Sequence, residues 1–511
     1  MESTVSDTTR PEPTDTSSDI AWQITSLSRW VAAPVVAVLV GLLALANRYG
    51  FHRDELYFIE SMDHPAWGYV DNPPLTPAIG WLSRQVFGDT LLGLRVLPAV
   101  EIAALVVVVA LIARELGGDR RAQVLAAVIA ATSAVFLAVG HLLTTPTFEA
   151  LVTCVILLGL CRIVRTGNQR WWIGIGIAVG VGLENKYTLL LALASLAVAA
   201  LFTGTWRRLL SGWTFAGAAI ALVIWLPQLL WQFDHDWPQL DFARTLAEEE
   251  GGENRATLVP FQLLIVGPPL APIVIAGLWA LWRRPSWRPV RFVPVGYVVL
   301  LVVLLVTGGK GYYAAGVFGA LVAAGSIATI DWVDRGSVAV RRSVLGVALV
   351  ANALVGAVIT LPILPERFVD GPIGDLNEDT KETIGWPAFV DQVAAAVDEE
   401  SAAVRAQIVI VTSDYGTAGA IDRLGAEHGL GPAYSMHNSY PDFRRPPDRV
   451  APVLVVGDAG ANSEWFDGCE RVATIETPGE IDNEINGMAV RRCAGPAEPW
   501  PDLWPKMRRL S

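Results

Sequence analysis

The sequence predicts a polytopic α-helical membrane protein with a C-terminal extracytoplasmic α/β domain, and three observations carry the prediction. Of 511 residues, 52% are apolar and 17% charged, whereas soluble domains are about one quarter charged. The apolar residues gather into runs of roughly 20, long enough to cross a hydrocarbon core as helices whose backbone groups pair internally. Beyond about residue 366 the composition turns sharply toward Asp, Glu, Gly and Pro. An ordinary cytosolic enzyme is excluded. A secreted protein with a cleaved signal does not fit either, because apolar runs recur along the chain and the segment before Arg29 is polar. A net charge of -12 without a basic stripe argues against a nucleic-acid partner.

In chain order, residues 1–29 are rich in Ser, Thr and Pro and read as a disordered cytoplasmic N-terminus. A membrane domain follows over 30–365. Its spans, about 11 of them, fall near 30–47, 96–113, 122–140, 143–161, 171–185, 187–206, 209–232, 257–282, 292–308, 311–330 and 343–364. The break at Glu184-Asn185-Lys186 also fits one long hairpin or a re-entrant pair. Cytoplasmic loops retain Lys and Arg. With the N-terminus inside, the cytoplasmic segments carry 17 arginines, against 8 basic residues in the opposite loops. An odd number of spans then leaves everything after about Pro365 outside a plasma membrane. The outer face has two long loops, 48–95 and 233–256.

The outer domain, 366–511, contains QIVIVTSD (407–414) and APVLVVG (451–457), which read as buried strands, while 387–400 and 418–428 have helical spacing. Cys154 and Cys161 share one span, whereas Cys469 and Cys493 both lie in the outer domain. An extracytoplasmic pair is free to oxidise, so a Cys469–Cys493 disulfide is expected, with two free buried thiols as the alternative that spacing leaves open.

Function concentrates on long structured loops over a rigid scaffold, which points to the outer face. The first loop opens with FHRDELYFIESM, placing Asp54 and Glu55 directly after the first span. A carboxylate at a membrane surface can take a proton from a hydroxyl nucleophile, although two acids in a first helical turn can also be caps. Trp81, Leu82, Val86 and Phe87 suit a helix lying along the interface. Glu149, Lys186 and Lys310 fall at outer ends of other spans. A single lysine there can simply snorkel. Carboxylates and lysines gathered on one face fit a reaction on a lipid phosphate, with cations for the leaving group and a carboxylate for the acceptor. His64, His141 and His235 share this side without metal-ligand spacing.

These residues carry a resemblance. The DELY after the first span, then WGYVDNPPLTP, FGDTLLGLRVLPA, ARELGG, GHLLTTPTFE, GLENKYT, WQFDHDWP, GPPLAP and GKGYY, in this order, resemble the GT-C glycosyltransferases that use lipid-linked sugars. Within that class they are similar to the family 39-like proteins related to protein O-mannosyltransferases and lipid A aminoarabinose transferases. YGTAGAIDRLG with YSMHNSY resembles the tail of one bacterial subgroup. The resemblance implies inverting transfer of a sugar from a polyprenyl-phosphate donor to a cell-envelope acceptor (glycan, lipid or protein). It implies Asp54 as the base, Glu55 as its neighbour, and Glu149 where the family often has Asp. Relatives carry an acidic-basic pair before the two prolines of this loop; here the site reads Asp71-Asn72-Pro73-Pro74, so the cation is missing. Lys310 is the expected replacement, with Tyr312 and Tyr313 beside it, then Lys186, then Arg53. A divalent cation is the one cofactor the resemblance leaves open, with Asp71 and His235 as its ligands. A lipid-linked sugar flippase or transporter is the alternative function.

Overall fold

The computed structural model describes residues 24–458 and 465–510. The expected disorder over 1–23 lies outside the described residues. It does not extend to 24–29, where the Ser28 N–H donates to Gln123 Oε1 at 2.9 Å and the Arg114 guanidinium donates to Thr25 O at 2.9 Å.

Helices dominate the first two thirds of the chain. They are α1 (Ala32–Leu45), α2 (Arg53–Asp63), α3 (Leu75–Phe87), α4 (Leu91–Glu115), α5 (Arg120–Ala131), α6 (Ala134–His141), α7 (Thr145–Thr166), α8 (Trp171–Leu183) and α9 (Leu189–Thr203). The one-turn α10 (Trp206–Leu209) leads to α11 (Gly212–Asp234), α12 (Pro238–Glu249), α13 (Gly251–Val266), α14 (Ala271–Arg283), α15 (Phe292–Thr307), α16 (Ala315–Asp334) and α17 (Val338–Thr360). Each expected span is thus one helix or a bent pair. Among the described residues, five helical stretches are long and apolar enough to cross a membrane, or up to seven if each bent pair is one span. The segments near 30–47, 171–185, 187–206 and 292–308 form shorter apolar helices. The bends are 55° between α5 and α6 and 80° between α13 and α14. The second has a local cause: Gly267 takes φ +101°, and Pro268 and Pro269 cannot extend the ladder of α13.

Small residues bring these helices together, as expected where lipid gives apolar side chains no reason to prefer one another. A Cβ on Gly277 of α14 would strike the backbone of α16 at Leu321, and one on Gly325 of α16 the backbone of Ile273. Gly176 of α8 and Gly217 of α11 meet in the same way. α3 presents Trp81, Leu82, Val86 and Phe87 outward, each roughly half exposed, as an interfacial helix would.

The C-terminal segment carries α18 (Trp386–Asp398), the one-turn α19 (Ala402–Arg405), β1 (Val409–Thr412), α20 (Tyr415–Leu424), β2 (Ala433–Ser435), α21 (Tyr440–Phe443) and β3 (Val453–Val456). It ends with β4 (Phe466–Asp467), β5 (Glu470–Thr474), β6 (Ala489–Cys493), β7 (Gly495–Pro496) and α22 (Trp500–Leu503). One sheet has the order β2-β1-β3-β6-β5, with β1 parallel to β2 and β3 and the β3/β6 and β6/β5 pairs antiparallel; β4 and β7 form a separate pair. Cys469 and Cys493 are joined by a disulfide. The sheet's core continues into the first loop: Leu56, Tyr57, Phe58 and Ile59 of α2 pack in one cluster with Trp386, Phe389, Tyr415 and Ile421. Gly416 and Gly419 explain the closeness. Three residues apart, they share a face of α20, and a Cβ on either would come within 3 Å of Arg53 or Leu56.

Candidate active site at the first loop

The start of α2 sorts the two adjacent acids into different environments. Glu55 completes a capping box, accepting the His52 N–H at 2.9 Å while the His52 ring accepts the Asp54 N–H. Its other contacts are the Arg95 guanidinium, at 2.9 Å to Oε1 and 2.7 Å to Oε2, and the Leu143 N–H at 3.0 Å. Arg95 also donates to Ala46 O and Gly50 O, both at 2.8 Å. Glu55 and Arg95 are therefore a buried brace joining α1, α2, α4 and the turn before α7. Both Glu55 oxygens are occupied, leaving no lone pair for an acceptor.

Asp54 points elsewhere. Its side chain is 36% exposed, and Oδ1 accepts the Tyr415 hydroxyl at 2.7 Å. Burial acts to raise its carboxyl, but the charges of His52, Arg53 and Lys310 and the Tyr415 hydrogen bond outweigh it and hold Asp54 below its ordinary value. Asp71 accepts the Tyr57 hydroxyl at 2.6 Å, and burial pushes it up to about 6. Carboxylates whose surroundings push their ionisation in opposite directions are a common signature of acid-base sites.

The expected cations are also sorted. Lys310 is paired with Glu250 at 2.8 Å, so its charge is already matched. Lys186 has no carboxylate within 4 Å among the described residues. Its ammonium lies over the rings of Tyr312 and Tyr313, at 5.4 and 5.0 Å from their centroids. Lys186 also feels the charges of Glu149, Lys310, Asp54 and Asp71, which places these groups around one region. Glu149 accepts the Thr188 hydroxyl at 2.6 Å. Glu250 thus pairs with Lys310, whereas neither Glu184 nor Glu149 comes within 4 Å of the Lys186 ammonium. Arg53 is engaged by Glu484 and lies 5.8 Å from the Tyr415 ring centroid, so it serves the contact with the C-terminal segment.

Asp71 and His235, the expected metal ligands, each have other partners. His235 is exposed, stacks on Trp231 and hydrogen-bonds Trp231 O at 2.8 Å, and Asp71 is engaged by Tyr57. Among the described residues no three His, Cys, Asp or Glu side chains gather as a metal site.

Sequence reasoning missed Tyr57, Asp414, Tyr415 and His437. Tyr415 is 361 positions from Asp54. The signal was present in YGTAGAIDRLG and YSMHNSY, noted as similar segments but with nothing in their spacing to bring them to the first loop.

Known proteins share this arrangement of helices. The family model described as dolichyl-phosphate-mannose-protein mannosyltransferase matches residues 71–231. The crystal structure of ArnT from Cupriavidus metallidurans superposes with a TM-score of 0.60 in the apo state and 0.57 bound to undecaprenyl phosphate; in each case the identity is 16%, over 90% of this chain and 97% of that one. The undecaprenyl phosphate-alpha-4-amino-4-deoxy-L-arabinose arabinosyl transferase of Pseudomonas aeruginosa is 28% identical over 239 residues. That match takes in 44% of this chain and 42% of the relative, so the chain spans less than half the length of this curated relative. The chain thus shares its fold with ArnT, and the matched segment is similar to a family of glycosyltransferases.

Proposed function

We propose that this protein transfers a sugar from a polyprenyl-phosphate donor to a cell-envelope acceptor at the outer side of the plasma membrane, with inversion at the anomeric carbon. The observation that carries the reading is the sorting around α2: Asp54 is held in its ionised form and is reachable, in the region where Lys186 has no carboxylate within 4 Å among the described residues. Asp54 removes the proton from the acceptor nucleophile as its heteroatom attacks the anomeric carbon. The bond from that carbon to the phosphate oxygen breaks, and the lipid phosphate leaves with the electron pair. Lys186 meets the charge that grows on it, with the Tyr312 and Tyr313 hydroxyls as neighbouring donors. Glu149 adds a more distant negative charge that acts on Lys186, and Asp71 with Tyr57 belongs to the same region. One base and one displacement suffice for inversion.

The topology belongs to the same proposal. Eleven spans, counting the four shorter helices and each bent pair once, put the N-terminus inside and the sheet-bearing segment 366–511 outside. The arginine asymmetry supports that orientation, and a disulfide suits an oxidising side. The relatives named above, one of them bound to undecaprenyl phosphate, support the donor class. The decisive experiment is mass spectrometry of envelope glycans, lipids and proteins from a strain lacking this chain, complemented with wild type or Asp54→Asn. A sugar lost on deletion should return only with the wild type. Full restoration by Asp54→Asn would sink the base assignment and favour a carrier of lipid-linked sugar.

A further inference from the structure

Asp54 is completed from the far end of the chain. Tyr415 is the first residue of α20, and its hydroxyl reaches Asp54 Oδ1 at 2.7 Å. The ring is held by three neighbours: His437 stacks at 4.6 Å, Tyr57 lies 4.7 Å away, and the Arg53 guanidinium sits 5.8 Å from the centroid. His437 is fixed in turn, with Nδ1 at 3.0 Å from Asp414 Oδ2. Asp414 caps α20, accepting the Gly416 N–H at 2.6 Å and the Thr417 N–H at 3.3 Å. Helix cap, imidazole and phenol form a single chain of contacts that ends on the carboxylate. The ring alone would fill this space, so packing does not account for the hydroxyl. A buried phenol needs an acceptor, and the one it has is Asp54.

We propose that Tyr415, held by Asp414 and His437, is a positioning residue for the transfer base, so that the base is set only when the C-terminal segment is docked on α2. The inference rests on the reading of Asp54 as that base. Occupying Oδ1 fixes the rotation of the carboxylate and leaves Oδ2 for the acceptor. A donor to the ionised form also keeps the base deprotonated. The charged and titratable groups around Asp54 are His52 and Arg53 on its own segment, Asp71 later in the first loop, Lys186, Lys310 and Tyr312 from the membrane part, and Tyr415 from α20. Removing the Tyr415 hydroxyl leaves all the others in place. Asp54 should then need a higher pH to ionise.

The test is an infrared titration of the full chain in lipid, with the Asp54 band identified by subtracting the Asp54→Asn spectrum. Tyr415→Phe, which keeps the ring, should move the ionisation midpoint of Asp54 upward by about one pH unit, the scale of one hydrogen bond to a charged group. Tyr415→Leu, lacking ring and hydroxyl, should move it at least as far. A contact that merely glued α20 to α2 would lower thermal stability in both variants without moving the midpoint. That result would overturn the inference and leave the transferase reading standing. Full envelope activity of Asp54→Asn would remove the reading underneath, and the inference with it, whatever the titration gave.

Discussion

The two ends of the helical bundle treat charge differently. At the arginine-rich end the acidic side chains are held by arginines. Glu115 is 1% exposed and held by Arg162 at 3.1 Å and Arg165 at 2.6 Å, Arg121 grips Asp334 with two nitrogens, and Arg284 meets Asp331 at 2.5 Å. At the first-loop end, Glu55 and Arg95 are matched in the same way, but Asp54 and Lys186 are held less closely. The nearest cation to Asp54 is Arg53 at 3.9 Å, and Arg53 is taken by Glu484. The acids at the arginine-rich end are closely held, whereas Asp54 and Lys186 keep only looser partners and can meet an outside group. Matched charge is architecture, and unmatched charge is chemistry.

Breaking the matched pair at the first-loop end should have the largest effect. Glu55→Ala strands Arg95 among buried carbonyls, and losing one partner of a buried pair costs about 3–5 kcal/mol. That is a large part of a marginal stability. The variant should fail to accumulate in the membrane, as read by fluorescence-detected size exclusion. Normal accumulation and stability would mean that Glu55 is not architectural. Asp54→Asn should instead insert and fold like the wild type but lower the rate of transfer by about 100-fold or more, the scale for a positioned base. Single-turnover rates in proteoliposomes check this.

The two lysines sharpen the comparison further. Lys186→Gln should raise the donor KM about tenfold, since one cation facing a phosphate is worth roughly 1.4 kcal/mol, or a factor of ten. Lys310→Gln should change it less than about threefold, because Glu250 already uses that charge. Equal losses from both would show that matching does not separate architecture from chemistry here.

Much of this was legible beforehand. Runs of apolar residues marked the segments that form apolar helices or bent pairs, because lipid requires internally paired backbone, but not α2 or α12, which lie in the long loops. The strands at 409–412 and 453–456 were legible from short β-branched runs between turn residues. Asp54 was legible from its place after the first span. Its separation from Glu55 was not, since two neighbouring acids differ only in which way their side chains leave the helix, and Arg95 decides that from 40 positions away. The Lys310–Glu250 pair and the Tyr415 contact were hidden for the same reason: both join segments far apart in sequence, where neither periodicity nor motif carries information. The metal reading of Asp71 and His235 gains no support from their surroundings, where Asp71 is engaged by Tyr57 and His235 stacks on Trp231.

A third kind of group lies between the matched and unmatched charges, and it gives the smallest expected effect. Glu60 of α2 meets Arg444, which also binds Asp422 at 3.0 Å, so two carboxylates share one guanidinium. Burial pushes Glu60 up to about 7, with the Asp422 charge adding to the rise and Arg444 opposing it. Folding therefore binds a proton at Glu60 in the window from its ordinary value near 4.5 to about 7, because the folded chain holds a proton there that the unfolded chain has lost. Stability must then fall as pH rises through that window. Glu60→Gln removes this contribution while keeping a hydrogen-bonding side chain. The fall in melting temperature from pH 5 to pH 7 should shrink by about 2–4 °C, as read by scanning fluorimetry at one fixed heating rate. It should not vanish, since burial also raises Asp71 to about 6 and Glu382 to about 7, and both contribute with the same sign. An unchanged pH slope in Glu60→Gln would mean that Arg444 serves both carboxylates fully, and Glu60 would then belong with the matched charges.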